Sequence, residues 1–345
     1  MKAKKMFNTV SREPHNQARV INGNPDGIIN LAGSNHQWAV TIYKNMKKRT
    51  WFVGQVSLVN DITNYHKMPA AYLRAYDLIL AQLITNDSIQ LNQLMDGFNR
   101  YVTSPVINLC LSVQSAEEGL HAESYSTMAE DIAKDTDRIF QMQHHDPELA
   151  RKNKAVEAMY DSVYGGDGEP SDEDMLVAAG ANQILEELVF PGGFAGMLLL
   201  RDFMPGSAEL IREIMKDETL SHVPLFKGIF RNIVLEEFDG VVPQIVVDKI
   251  TQMVKAMTEA EIRWSVYALE GVMGVSEQAI RILVETQANS VCANLKLPFI
   301  YEKHNNSPLN SLLANNLKGG ELASKTNFFT NNVAEYSKSS VVVDF

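Results

Sequence analysis

Apolar side chains recur every three or four residues over most of this 345-residue chain, which is the spacing of amphipathic helices. The clearest stripe contains Leu73, Leu80, Leu83, Ile84, Leu91 and Leu94. The same spacing predicts helices over residues 70–98, 104–142, 173–200, 207–235, 242–267 and 276–295. Because the alternating pattern of strands is almost absent, the sequence predicts a mainly α protein.

The regions between these helices are richer in turn-forming residues. Residues 1–50 predict an irregular N-terminal arm that contains one short helix over 37–47, and residues 163–172 predict a loop. Ser207 follows a Pro-Gly pair and is predicted to be the N-cap of the fourth helix. The main helical domain is predicted to extend over residues 51–304.

The last part of the chain, residues 305–345, is rich in Asn, Ser, Lys and Gly and predicts a mobile tail. The final five residues, 341–345, are unexpectedly apolar for such a tail. Two interpretations are open at this point: a terminal strand with no special role, or a peptide that docks in a groove of a partner protein.

Composition excludes several classes of protein. Hydrophobic residues make up 45% and charged residues 21%, which is enough apolar material for a large core. The net charge of −11 opposes binding to nucleic acid or to an anionic membrane. No apolar run is long enough to span a bilayer, and the basic N-terminus lacks the apolar segment of a secretory signal. The two cysteines, Cys110 and Cys292, favour a reducing, cytoplasmic location.

Two of the eight histidines lie inside apolar helices, one turn from an acid. Glu118 precedes His121 by three residues, and Glu218 precedes His222 by four. Residues at these spacings face the same side of a helix, so each pair directs a carboxylate and an imidazole at one point. Either pair alone is more simply a surface Glu–His pair, whereas the two together favour a shared site.

Two further helices carry an acid among apolar residues, at Asp87 and Glu186. Four carboxylates and two imidazoles from four helices match the ligands that ferritin-like bundles place around two metal ions. Four buried carboxylates without partners would each cost several kcal/mol, and two divalent cations would balance their charge. A set of oxygen donors with one imidazole per ion and no thiolate favours iron or manganese over structural zinc.

The four-residue spacing between Glu218 and His222 calls for a local irregularity. Pro224 follows directly and has no N–H to donate to the carbonyl of Leu220. We therefore predict a π-helical turn that absorbs one extra residue and keeps both side chains on one face.

Over about residues 40–345 the sequence resembles the small (beta) subunit of class I ribonucleotide reductase. Residues 115–126 resemble the family segment in which a Glu-x-x-His ligand pair precedes a radical tyrosine, and residues 87–90, 185–194 and 216–222 resemble the other ligand segments. The resemblance implies that the metal ligands are Asp87, Glu118, His121, Glu186, Glu218 and His222. It favours Glu186 over Glu187, and the last pair departs from the three-residue spacing of the family.

The resemblance also implies a fold and an activity. The fold would be a ferritin-like helical bundle with a di-metal carboxylate site in its core, assembled as a homodimer. Two iron ions, or else two manganese ions or one of each, would activate dioxygen and oxidise Tyr125 to a radical. Tyr125 lies four residues after His121, on the same side of the helix. Phe190 and Phe194 would form a dry wall beside the site, although ordinary core packing explains them equally well.

The implied radical route leaves the metal site through Trp51 and Asp217 and reaches Tyr336 in the tail. A separate large (alpha) subunit would bind the apolar residues 341–345 and reduce ribonucleotides, most commonly diphosphates, to deoxyribonucleotides. Without the resemblance, Trp51 is a core tryptophan, Asp217 a solvated acid and Tyr125 a core tyrosine.

Three other interpretations stay open on the residues alone: a ferritin-like iron-storage protein, a related di-metal oxidase that acts on a small ligand or lipid, and a bundle without metal. A storage protein needs neither Tyr336 nor an apolar terminus. The combination of Tyr125, Trp51, Asp217 and Tyr336 disfavours the other oxidase. A bundle without metal would leave four buried acids uncompensated.

Overall fold

The computed structural model describes residues 1–164, 168–305 and 307–327, and within these ranges it contains no β-strand. The mainly α prediction is therefore confirmed. The α-helices of the described residues are α1 Gln37–Lys48, α2 Val59–Asn64, α3 Ala70–Asn92, α4 Pro105–Thr127, α5 Thr136–His145, α6 Pro147–Tyr164, α7 Asp172–Ile184, α8 Phe190–Leu199, α9 Pro205–Asp217, α10 Val223–Glu237, α11 Gln244–Ala268, α12 Glu277–Asn294 and α13 Pro308–Asn327.

In the described part of the chain, four π-helical segments interrupt or extend the long helices that the sequence predicts. They are Gln93–Gly97 after α3, Met128–Ala133 after α4, Leu185–Val189 between α7 and α8, and Glu218–His222 between α9 and α10. Each accommodates one more residue per turn than an α-helix, because its backbone hydrogen bonds join residues five apart. The predicted π-helical turn between Glu218 and His222 is confirmed.

The centre of the bundle is formed by α3, α4, α7 and the α9–α10 pair. Helix α3 packs against α4 and α8, and α7 packs against α10 and α11. Every residue of α7 from Met175 to Ile184 is buried. A helix that is buried on all sides belongs in the middle of a core, so the acids that follow it enter the interior.

Several helices begin where the sequence places a capping side chain, but α9 does not. Ser104 and Ser276 accept backbone N–H groups at the starts of α4 and α12. Ser207, by contrast, lies inside the first turn of α9, which begins at Pro205. Asp61 of α2 accepts the backbone N–H of Ser207 at 2.6 Å. The predicted Ser207 N-cap is wrong because a distant carboxylate supplies the cap.

The N-terminal arm is irregular outside α1, and the predicted short helix there is confirmed. The arm nevertheless packs against the bundle: Val20 and Ile21 are completely buried. Arg19 also forms a salt bridge with Glu237 at the end of α10. The arm is therefore part of the folded structure.

The region predicted as a mobile tail begins with a helix, α13, so that expectation is wrong for its first part. Leu309 and Leu313 of α13 are buried, and the helix packs against α8, α9 and α12. Two leucines one turn apart anchor a segment whose composition is otherwise polar. Residues 165–167 of the predicted loop, together with Tyr336 and the apolar 341–345, lie outside the described residues. None of the described helices is long and apolar enough to cross a membrane.

Candidate metal centre

Six buried side chains from four parts of the bundle converge in two overlapping groups. One group contains Asp87, Glu118, His121 and Glu218, and the other contains Glu118, Glu186, Glu218 and His222. In each group, one ligand atom per residue lies within 4.8 Å of the others. Because Glu118 and Glu218 belong to both groups, the arrangement suits two adjacent cations bridged by two carboxylates.

The first cation position is centred on His121. Its Nδ1 atom lies 3.2 Å from Asp87 Oδ1, 3.4 Å from Glu118 Oε2 and 3.3 Å from Glu218 Oε1. Helix α3 supplies Asp87, and α4 supplies Glu118 and His121 one turn apart on its inner face.

The second cation position is centred on His222. Its Nδ1 atom lies 2.8 Å from Glu218 Oε2, 3.4 Å from Glu118 Oε1 and 3.8 Å from Glu186 Oε2. Both Glu218 and His222 lie in one π-helical segment, whose wider turn keeps the pair on the inner face despite the four-residue spacing. Pro224 falls in the first turn of α10 and is tolerated there.

One oxygen of each carboxylate in the cluster is buried without a hydrogen-bond partner among the described residues: Asp87 Oδ2, Glu118 Oε2, Glu186 Oε2 and Glu218 Oε1. Within the same part of the chain, the salt bridges of these acids involve only His121 and His222, with no lysine or arginine. Buried carboxylate oxygens left without donors are costly unless a cation binds them. The donor set therefore fits two divalent ions of the iron or manganese type.

Burial and close charges shift the proton affinity of the cluster. Burial raises the pKa of Asp87 well above its usual value. Burial opposes ionisation of Glu218, but the charge of His222 and hydrogen bonds hold the pKa of Glu218 well below the ordinary range. Burial also disfavours a charged His121, but hydrogen bonds to Asp217 and Asp87 raise the pKa of this ring. Protons and cations therefore compete for the same atoms.

Tyr125 lies one turn beyond His121 on α4 and is completely buried. Its hydroxyl has no hydrogen-bond partner among the described residues. Burial, and then the charge of Asp87, raise the pKa of Tyr125 well above its usual value, so its phenol stays neutral. Phe190 and Phe194 are also buried, and their rings stack with centroids 5.7 Å apart.

A hydrogen-bonded chain leads from the first cation position to Trp51. The Nε2 atom of His121 lies 3.3 Å from Asp217 Oδ2. The indole Nε1 of Trp51 donates to the same oxygen at 2.7 Å. The Trp51 and His121 rings are close to parallel, with centroids 6.4 Å apart. Trp51 and Asp217, both singled out in the sequence, therefore lie beside His121, a candidate ligand.

The two neighbouring acids Glu186 and Glu187 have separate roles. Glu186 lies in the cluster, whereas Glu187 points to α12, where it accepts hydrogen bonds from Ser290 at 2.5 Å and from Asn294 at 2.8 Å. Gln183 donates to Glu187 as well. The structure therefore brings Glu186, and not Glu187, to the candidate centre.

Sequence reasoning missed two glutamines that hold Glu186. Gln114 Nε2 donates to Glu186 Oε1 at 2.8 Å, and Gln90 donates to the same oxygen. Both are completely buried. The available signal was helical spacing, since Gln90 lies three residues after Asp87 and Gln114 four before Glu118. A third missed residue, Glu117, lies 3.0 Å from the Nε2 atom of His222.

A cavity of about 440 Å³ lies beside Glu186, between the two ligand-bearing π-helical segments, α12 and α13. Phe194, Thr219, Ser290 and Leu313 are among its lining residues. Helix α13 therefore forms one wall of a space that adjoins the second cation position.

Comparison with known proteins places these observations in a family. The sequence profile described as "Ribonucleotide reductase, small chain" matches residues 28–308. The ribonucleoside-diphosphate reductase subunit beta of Treponema pallidum (strain Nichols) is 28% identical over 98% of this chain and 96% of its own length. The corresponding subunit of Halalkalibacterium halodurans is 25% identical over 93% of this chain and 92% of its own length.

Solved structures agree with this fold. The ribonucleotide reductase R2 subunit from Clostridium botulinum superposes with a TM-score of 0.83 and 25% identity, over 92% of this chain and 99% of that one. The dimanganese(II)-NrdF of Streptococcus sanguinis has a TM-score of 0.71 at 18% identity, over 84% of this chain and 99% of that one. The ferritin-like bundle predicted from the sequence is therefore confirmed.

Proposed function

Because the chain belongs to the ribonucleotide reductase small-chain family, we propose that it is the radical-generating subunit of a ribonucleoside-diphosphate reductase. Its substrate-reducing partner is a separate large subunit. In this proposal Tyr125 carries the radical, and Trp51 and Tyr336 relay the oxidising equivalent towards that partner. Assembly as a homodimer and a cytoplasmic location complete the proposal.

The observation that carries the proposal is the pair of overlapping ligand groups that share Glu118 and Glu218. Asp87 and His121 complete the first position, and Glu186 and His222 complete the second. When bound, two ions of this type supply dioxygen activation and the oxidising power to remove one electron from a nearby phenol. We propose two iron ions, with two manganese ions or one of each as alternatives that the same donors accept.

The protein's own contribution begins with the fixed orientation of Glu186. Gln90 and Gln114 hold one oxygen of Glu186 and leave the other directed at the second position. Phe194 lines the cavity beside that carboxylate, and its ring stacks on that of Phe190. Hydrogen bonds that fix a ligand's orientation in this way support metal affinity.

Tyr125 contributes a neutral phenol in a sealed position. Complete burial and a hydroxyl without a hydrogen-bond partner among the described residues protect an oxidised Tyr125 ring from solvent and from neighbouring donors. The remaining steps depend on Trp51, which is joined to His121 through Asp217. An iron-storage protein, the alternative considered for such a bundle, has no use for this chain of contacts.

The last part of the relay is proposed from the sequence resemblance alone, because Tyr336 and residues 341–345 lie outside the described residues. The apolar terminal pentapeptide suits docking in a groove of the large subunit.

Reconstitution of metal-free protein tests the proposal. We expect two ions per chain and a tyrosyl signal in electron paramagnetic resonance after addition of ferrous iron and air, or of manganese(II) and superoxide. Substitution of Glu118, which belongs to both ligand groups, by Gln should abolish binding of the pair. Glu123→Gln is the matched control, because it removes the same charge from the exposed face of the same helix. Wild-type protein that binds fewer than two ions, or binds them and gives no radical with either metal, would contradict the proposal.

A further inference from the structure

The imidazole of His222 is held from both sides. Its Nδ1 atom faces the cluster, 2.8 Å from Glu218 Oε2, and its Nε2 atom lies 3.0 Å from Glu117 Oε2. His222 is completely buried. A histidine that binds a cation through Nδ1 carries its proton on Nε2, and a buried N–H requires an acceptor. Glu117 is that acceptor.

His121 has a similar arrangement, with one difference. Its Nε2 atom faces Asp217, whose oxygen also accepts the indole N–H of Trp51. Glu117 forms no other hydrogen bond or salt bridge within the described part of the chain. Its side chain is 11% exposed, whereas that of Asp217 is 3% exposed. The carboxylate of Asp217 thus contacts an indole ring as well, whereas that of Glu117 contacts His222 alone among the described residues.

We propose that Glu117 is a positioning residue that sets the affinity of the second cation position. Its carboxylate fixes the His222 tautomer with the proton on Nε2, orients the ring and leaves the Nδ1 lone pair free for the cation. The negative charge behind the ring also increases the basicity of Nδ1. This inference rests on the proposed function, because it presupposes that two cations bind.

The position of Glu117 in the sequence supports a dedicated role. Each ligand-bearing segment after α3 contains a pair of adjacent acids, and one member of each pair lies in the cluster. Two of the other members form hydrogen bonds with different residues: Asp217 with Trp51 and His121, and Glu187 with Asn294 of α12. Glu117 is the other member on α4, and it contacts His222, the imidazole that Asp217 does not contact.

Titration of metal-free full-length protein with manganese(II), followed by calorimetry and electron paramagnetic resonance, tests the inference. In Glu117→Gln we expect the second ion to bind about 10- to 100-fold more weakly, with the first ion unchanged. At two equivalents the variant should show the six-line signal of isolated manganese(II), where wild type shows a spin-coupled pair. Glu123→Gln, on the exposed face of α4, is the charge-matched control and should behave as wild type.

Double substitutions identify the weakened position. Glu186→Ala removes a ligand of the second position only, so adding Glu117→Gln to it should change little further. Asp87→Ala removes a ligand of the first position only, so adding Glu117→Gln should leave no tight ion. Circular dichroism establishes whether each metal-free variant folds. If Glu117→Gln does not fold, Glu117→Asp is tested in its place, and the loss of affinity should again be confined to the second ion.

The outcomes separate this inference from the proposed function. If wild type binds a coupled pair and the Glu117 variant binds both ions with wild-type affinity, or weakens both equally, the inference is overturned and the proposed function stands. If wild type itself binds no pair, both are overturned.

Discussion

Trp51 and Asp217, 166 positions apart in the chain, are joined by a hydrogen bond of 2.7 Å between the indole Nε1 and the carboxylate Oδ2. The same oxygen lies 3.3 Å from His121 Nε2. All three side chains are buried. The bond therefore connects a candidate metal ligand to an oxidisable ring without an intervening gap in the hydrogen-bonded chain.

Trp51→Phe should separate radical formation from radical transfer. We expect two metal ions and a Tyr125 radical as in wild type, and turnover with the large subunit reduced at least about 100-fold, since the indole and its N–H are both lost. Radical content by electron paramagnetic resonance and deoxyribonucleotide formation are the measurements. Trp38→Phe is the control, because Trp38 is only half-buried and has no hydrogen-bond partner for its Nε1 among the described residues. Wild-type turnover in Trp51→Phe would contradict the proposed route.

Tyr125→Phe should leave metal binding intact, because the lost hydroxyl has no hydrogen-bond partner within the described residues. The tyrosyl signal and turnover should both disappear. Tyr76→Phe is a matched control: Tyr76 is equally buried, but its hydroxyl contacts Ser207 and lies outside the cluster. A wild-type tyrosyl signal in Tyr125→Phe would assign the radical to another residue.

Removal of residues 341–345 should abolish turnover with the large subunit and leave metal content and the Tyr125 radical unchanged. The reason is that the apolar terminus is proposed to bind the partner while the centre lies in the bundle. A synthetic peptide of the same sequence should inhibit wild-type turnover, and a scrambled peptide should not. Full turnover of the shortened chain would exclude the docking role.

The buried pair of Lys152 on α6 and Glu261 on α11 should be stabilising only as a pair. The Lys152 Nζ atom lies 2.5 Å from Glu261 Oε2, and both side chains are almost completely buried. Burial lowers the pKa of Lys152 and raises the pKa of Glu261, so neither charge is favourable without the other. Glu261→Gln alone should lower the free energy of unfolding by about 3–5 kcal/mol.

The double variant Lys152→Met with Glu261→Leu should recover most of that loss, because an apolar pair avoids the desolvation of two charges. Denaturant unfolding of the single and double variants provides the comparison. Equal losses in both variants would contradict this expectation, because the apolar pair would then recover nothing.

Lys4 should make the stability of the protein depend on pH in the alkaline range. Burial lowers the pKa of Lys4 from 10.5 to about 8, and its Nζ donates to the carbonyl of Asn99 at 2.6 Å. Between these two pH values the unfolded chain binds more protons than the folded one, so stability rises with pH across this window. Unfolding in urea should show a smaller rise in Lys4→Met than in wild type. Lys5→Met, at an exposed neighbour, should retain the wild-type rise.

Local spacing predicted the helices and most of the candidate ligands, because both depend on which residues share one helix face. Glu118 with His121, and Glu218 with His222, are recognisable for that reason, and Pro224 indicated the π-helical turn that the structure contains. Such reasoning succeeds where contact partners lie within about one turn of each other.

Features that depend on distant partners could not be predicted in the same way. Asp61 caps α9 from 146 residues away, so Ser207 gave a misleading signal. Gln114 and Glu117 resemble ordinary polar residues until Glu186 and His222 are placed beside them. The composition of the C-terminal region predicts a tail, because composition does not show that Leu309 and Leu313 pack against other helices.

The π-helical segment Glu218–His222 has a consequence for recognising centres of this kind. The wide turn accommodates one extra residue, so the His222 imidazole still faces the cluster. Regular α-helical hydrogen bonding resumes in α10. Glu218 and His222 thus still face the same point although four residues, and not three, separate them. A scan of genomes that demands the Glu-x-x-His interval at both ligand pairs would overlook this chain, because only Glu118 and His121 have that interval, whereas one that tolerates a single insertion would retain it.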